Sequence, residues 1–212
     1  MAKAKKEQVI QISKPNFQYI DIDIVGEEPL NIHRLGKKLE DEFRARDKNS
    51  PIKKKGPRDY AAEFMDSLYY IDAEGNEVDA PDKIRKSTRF GFPASGFKKA
   101  MVAAARQFKN IAMTELRGRF FVLGRFVQIK GTPKQDEFWR RIGGKGPGTG
   151  TPDIGVRAVF QEWSATLHIK YNADVISAES VVNLLQTAGF SVGIGEDRPD
   201  KSGNTFGMWS VK

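Results

Sequence analysis

An α+β fold with one antiparallel sheet is predicted by three observations. Residues 17–25, FQYIDIDIV, alternate apolar and polar side chains with the period of a strand. Residues 93–109 and 177–188 carry apolar side chains at helical spacing. Each helical stretch is followed by β-branched and aromatic runs, 119–129 after the first and 206–211 after the second. Composition agrees: 39% hydrophobic and 29% charged residues in 212 describe a chain able to bury a core. The prediction is a single domain spanning 1–212, interrupted by insertions at about 26–92 and 130–155.

In chain order, Ile20, Ile22 and Ile24 share one face of the first strand, and Tyr19, Asp21 and Asp23 the other. Residues 26–92 are polar and broken by Gly and Pro. They suggest a short helix from about residue 36 (LEDEFRAR), a further element at YAAEFMDSLYY and a turn near Gly75 and Asn76; the segment is expected to be partly ordered and mobile. The first clear helix, PASGFKKAMVAAARQFK, is opened by Pro93 and Ser95. Phe97, Met101, Ala104, Ala105 and Phe108 form its apolar stripe, fringed by Lys98, Lys99, Arg106 and Lys109. RFFVLGRFVQI, 119–129, reads as one strand with a bulge at Gly124. Within the second insertion, GGKGPGTGTPDIG, 143–155, holds six glycines and reads as a flexible loop. Residues 157–171 read as one long strand with a wet face carrying His168 and Lys170. Ser177 is the expected N-cap of the second helix, Glu179 suits its positive end, and Gly189 is its expected stop. Without the insertions the order is strand, helix, strand, strand, helix, strand, which is the ferredoxin-like (RRM-like) βαββαβ arrangement.

Charge points to function. The net charge is +8 and it is segregated. Residues 83–109 hold eight basic residues and no acid; residues 31–60 hold ten bases against five acids; residues 61–82 hold seven acids and no base. Clustered cations attract phosphate. Cysteine is absent, which excludes disulfides and thiolate metal sites and favours the cytoplasm. No apolar run is long enough to span a membrane, and the basic start MAKAKKEQ lacks the apolar stretch of a secretory signal. No metal and no cofactor are expected.

Two segments carry the binding chemistry. In GFSVGIGEDRPDKSGNTFGMWSV, Gly193, Gly195, Gly203 and Gly207 bracket a polar turn bearing Arg198 and Lys201. Glycines permit close backbone approach to a phosphate chain or to another subunit, or simply make an αβ connection. The segment follows a helix and precedes a strand, so it is neither a dinucleotide fingerprint nor a Walker loop. In FGFPASGFKKAMVAAAR, a small-residue turn leads into a helix whose start carries Lys98 and Lys99, a combination suited to phosphate. Basic residues Lys53, Lys54, Lys55 and Arg58 are expected to act as a mobile clamp. Tyr19, Phe120 or Phe126, and Trp163 lie on strands where exposed rings could stack bases, although most, Trp163 above all, are expected in the core. His33 and His168 are the only histidines, and both read as structural or exposed groups in the absence of a geometric partner. Asp21 and Asp23 read as a solvated strand face.

Together the FPASGFKKA and GIGEDRPDKSGNTFG segments resemble the helix start and the C-terminal glycine-rich loop of the RAMP superfamily, ferredoxin-fold RNA-binding proteins that include backbone subunits of CRISPR effector complexes. GEEPLNIHRL, RDYAAEFMDSLYY, FPASGFKKA and AGFSVGIGEDRP also resemble segments of small phage and prophage proteins. The helix start departs from the RAMP pattern at Ser95, Gly96, Phe97, Lys98 and Lys99, and no position matches the target-cleaving aspartate of some backbone subunits. The resemblance implies the fold more than the activity; with the basic segments above, the expectation is a protein that binds single-stranded RNA or DNA, with Lys98, Lys99, Arg106, Arg198 and Lys201 as leading contacts, and is not an enzyme. Copies would form a homo-oligomer, arranged head-to-tail with the acidic segment 61–82 meeting a basic face. Alternatives are a metal-independent endoribonuclease using His33 or His168, and a phage-encoded protein that imitates a host CRISPR effector subunit within a ribonucleoprotein complex.

Overall fold

The structure, a computed structural model, describes residues 13–36, 43, 58–109, 111–143 and 149–212. Strand β1 (Phe17–Gly26) alternates as expected, with Ile22 and Ile24 buried and Asp21 and Asp23 exposed. It is the second strand of a four-stranded antiparallel sheet. Its neighbours are β10 (Ser164–Asn172) and β11 (Trp209–Val211), and β6 (Phe120–Val122) lies outside β10. The order β11-β1-β10-β6 is the ferredoxin-like 4-1-3-2 order.

Helices α2 (Ala94–Ala104) and α4 (Ala178–Ser191) pack on each other and cover one face of this sheet. Alanines favour α2 intrinsically, and Phe97, Met101 and Ala104 turn its stripe inward, Phe97 standing edge-on to Trp209 at 5.8 Å. In α4, Ser177 Oγ accepts from Ser180 N at 3.1 Å, the cap expected from sequence. Gly189 does not end this helix. A Cβ there would lie 2.0 Å from the Trp209 carbonyl oxygen, so the glycine lets α4 settle on β11 and the helix runs on to Ser191.

Two expected strands are each divided. At Gly124, with φ +85°, the chain leaves the main sheet, and β7 (Phe126–Ile129) joins another. That sheet has the order β4-β3-β5-β7, with β3 (Tyr69–Ile71), β4 (Glu77–Val78) and β5 (Arg89–Pro93). The stretch 157–171 is likewise divided by a turn that buries Trp163, whose Nε1 donates to the Glu28 carbonyl at 2.9 Å.

The segments read as insertions contain much of the remaining structure. β8 (Pro133–Ile142) and β9 (Thr151–Phe160) form a hairpin of two ten-residue strands, joined by β2 (Leu30–Ile32) in a third sheet. The flexible loop expected at GGKGPGTGTPDIG, 143–155, is thereby corrected from Thr151 onward, where the chain is strand β9. β8 is polar on both faces and has no alternation to read, whereas the buried second half of β9 holds it in register. Within 26–92, Asp59 caps helix α1 (Tyr60–Asp66), and Asp72 Oδ1 accepts from Asn76 N at 2.8 Å to close the β3–β4 turn. Apart from Gly36 and Phe43, the short helix expected from about residue 36 lies outside the described residues, as do 144–148 of GGKGPGTGTPDIG. One buried apolar cluster runs through all three sheets, and the Phe90–Phe160 edge contact at 5.5 Å joins two of them.

Candidate nucleic-acid interface

The two segments singled out from sequence meet in space. A cleft of about 410 Å³ lies between α2, which contributes Gly96 and Lys99, and the loop after α4, which contributes Gly193, Gly195, Arg198 and Lys201. The loop's geometry explains its glycines. Gly193, Gly195 and Gly207 have φ of +67°, +81° and +70°. A Cβ on Gly195 would sit 2.3 Å from the Asn31 carbonyl oxygen, and one on Gly207 only 1.9 Å from that of Ile194. The loop is pinned by Ile194 N to Gly207 O (3.1 Å), Gly207 N to Pro29 O (2.8 Å) and Glu196 N to Asn31 O (3.0 Å). These glycines therefore face the protein itself: Gly195 approaches β2, while Gly193 and Gly207 approach Pro199 and Ile194 within the loop. Gly203 differs: it ends the short helix α5 (Pro199–Ser202) in the left-handed conformation, with nothing within 4 Å of a Cβ built on it.

Behind the loop stands Arg157 on β9, 6% exposed. Its Nε donates to Asp136 on β8 at 2.9 Å, its Nη1 pairs with Asp197, and Glu196 lies at 3.7 Å. Its guanidinium also lies over the Phe138 ring at 4.3 Å. His33 Nδ1 meets Glu196 Oε2 at 3.2 Å, a hydrogen bond that, with nearby Arg157 and Lys201, holds the Glu196 carboxyl below the usual carboxylate range. Arg106 Nη2 donates to Asp200 at 2.6 Å. The carboxylates around the cleft are thus engaged by protein cations. Lys99 and Lys201 have no carboxylate within 4 Å among the described residues.

The other expected contacts fall elsewhere. Lys98, one residue from Lys99 and so about 100° round the helix, points away from the cleft, and its Nζ lies 3.6 Å above the Phe121 ring on β6. Arg58 does not belong to a mobile clamp. It donates to Glu63, to Asp153 at 2.7 Å and to the Ile154 carbonyl at 2.6 Å, bracing α1 against β9. Lys53, Lys54 and Lys55 lie outside the described residues. The acidic segment is partly used within the chain, where Glu77 bridges Arg34 and Arg125, each at 2.9 Å. Of the histidines, His33 is at the rim of the cleft and His168 on the uncovered sheet face, where it meets Asp21 at 2.7 Å. Asp23 accepts from Thr166 Oγ1 at 2.7 Å. Trp163 and Phe120 are buried, Phe126 is half-buried, and Tyr19 is exposed. Sequence reasoning missed Arg157 and Phe121; the only signal for Arg157 was a charge inside an otherwise apolar strand, RAVF.

Among the described residues, no group of His, Asp or Glu is arranged to hold a metal ion, and no helix is long and apolar enough to cross a membrane. No family model and no curated protein matches the chain. Among solved structures, the chain is similar to the crystal structure of Cmr6 from Pyrococcus furiosus, with a TM-score of 0.43 and 11% identity over 93% of this chain and 99% of that one. It is also similar to a chain of a CRISPR RNA-guided surveillance complex, with a TM-score of 0.34 and 10% identity over 91% and 66% of the two chains.

Proposed function

We propose that this protein binds single-stranded RNA or DNA through its phosphates, with modest sequence preference, and acts as a binding module without cleaving the strand. The observation that carries this reading is the convergence of Lys99, Arg198 and Lys201 on one cleft, where Lys99 and Lys201 have no carboxylate within 4 Å among the described residues. Cations left unpaired in this way attract a polyanion and release its condensed counterions. The carboxylates that would oppose a phosphate are already held by Arg106, Arg157 and His33.

Fluorescence anisotropy with a labelled single strand, titrated across salt, tests the reading. The three cleft cations alone contribute about −2 to the slope of log affinity against log salt for a single strand. Lys99→Ala and Lys201→Ala should each make that slope shallower by about 0.7, with similar losses on every sequence. Absence of binding at low salt to any single-stranded oligonucleotide would end the proposal. Recovery of shortened RNA after incubation with a chelator, abolished by His33→Ala or His168→Ala, would replace it with the endoribonuclease reading.

A further inference from the structure

We infer that the uncovered face of the main sheet is a second contact surface, which takes the bases of a single strand on Tyr19, Phe121 and Phe17. This rests on the nucleic-acid reading above and adds to it a site that recognises base rings rather than phosphates. The helices cover one face of the sheet, and the outward side chains of the other face fall into rows. Tyr19 on β1, Lys170 on β10 and Phe121 on β6 are in register across three adjacent strands, and Phe17 lies two residues before Tyr19. All three rings are open to solvent: Tyr19 is 65% exposed, Phe17 50% and Phe121 47%. Rings gathered in this way make a patch, unlike single surface hydrophobes.

The charge of the row selects its occupant. Lys170 Nζ stands 4.6 Å from the Phe17 ring centre and 5.4 Å from that of Tyr19, and Lys98 Nζ stands 3.6 Å from that of Phe121. Neither ammonium has a carboxylate within 4 Å among the described residues, since the nearby Asp21 is engaged by His168. An apolar protein partner would have to strip water from Lys170 at the centre of the patch without neutralising it. A single strand meets both needs at once, with bases for the rings and phosphates for the ammonium groups. Burial against the sheet edge holds the Lys98 ammonium below the ordinary lysine range, so a neighbouring anion would stabilise it. Tyr19 and Phe121 are two strands apart, roughly 10 Å, which suits bases splayed onto separate rings.

The test compares two labelled strands of equal length, one of mixed sequence and one abasic, against the parent protein, Tyr19→Ala, Phe121→Ala and Tyr19→Phe. The parent should prefer the base-bearing strand. Tyr19→Ala and Phe121→Ala should each weaken that strand roughly 5- to 150-fold, as loss of one stacked base predicts. The abasic affinity and the salt slope should not change, and Tyr19→Phe should retain binding. If both alanine variants bind the base-bearing strand within two-fold of the parent while Lys99→Ala still flattens the salt slope, this inference fails and the phosphate reading stands. If the parent binds neither strand at low salt, both fail. A dimer that Tyr19→Ala dissociates, with strand affinity unchanged, would make this face an interface between copies and overturn the inference.

Discussion

Replacing Arg157 with methionine keeps most of the side chain's bulk and removes the charge that ties the glycine-rich loop to the β8–β9 hairpin. The guanidinium makes two charge-assisted hydrogen bonds, to Asp136 and Asp197, with Glu196 close by. Bonds to charged groups are worth about 1.5–3 kcal/mol each. Here the carboxylates are partly open, with 40% of the Asp136 side chain and 33% of that of Asp197 exposed, so water recovers some of the loss. Halving the sum for that exposure leaves about 1.5–3 kcal/mol; no larger discount applies, because the arginine is buried and its removal leaves three carboxylates without their shared cation. For a chain of this length each kcal/mol moves the midpoint by about 2–4 °C, so Arg157→Met should melt about 3–12 °C lower, followed by circular dichroism. A double-mutant cycle with Asp197→Asn should return a coupling above about 0.5 kcal/mol. Well below its melting point the variant should also bind a single strand more weakly, since the loop that places Arg198 and Lys201 has lost its anchor. An unchanged melting temperature with no coupling in the cycle would refute the assignment of Arg157 as the strut of the loop.

Gly207→Ala and Gly203→Ala have nearly equal φ but different surroundings, so urea unfolding should separate them. Gly203→Ala should cost about 1–2 kcal/mol for the left-handed backbone alone, and Gly207→Ala clearly more, because its Cβ would lie 1.9 Å from a carbonyl oxygen. Glu196 has a lowered folded pKa, so its stabilising contribution is present above the ordinary carboxylate range and disappears as pH falls through the folded value. The stability advantage of the parent over Glu196→Gln, read from urea midpoints, should therefore be full near pH 6 and shrink below about pH 4. Asp59→Ala removes the cap bond to Ala62 N at 3.0 Å and should destabilise by about 1 kcal/mol in the same assay.

Local periodicity made the ferredoxin-like core legible. β1, α2 and α4 could be read because each presents one apolar face at a regular interval, and their order decides a 4-1-3-2 sheet once strands alternate with helices. The breaks could not be read. FVLGRFVQ is apolar but for Arg125 and Gln128, and only its tertiary partners, His168 for the part before Gly124 and β5 for the part after, decide that it divides. The β8 strand was hidden for the opposite reason, being charged along its length and held by pairing rather than by burial. At the site, the convergence of Lys99 with the glycine-rich loop followed from helix and loop chemistry. The parting of Lys98 from Lys99 depended on helical phase relative to a sheet edge, which adjacency in sequence obscures. Arg157 and Phe121 became functional candidates only through what lies across from them.

An inner strand of the main sheet, β1, is also the first strand among the described residues. β1 pairs only with β10 and β11, so Phe17 meets Asn172, and Ile24 meets Val211. During synthesis β1 leaves the ribosome long before either partner, and at ordinary elongation rates of about 5–20 residues per second it waits on the order of ten seconds. Throughout that interval an alternating, isoleucine-rich segment has both of its hydrogen-bonding edges open. Such long-range closure makes folding slow. Asp21 and Asp23, two apart in the middle of that strand, put charge on one face of the waiting segment and so discourage its pairing with other nascent chains.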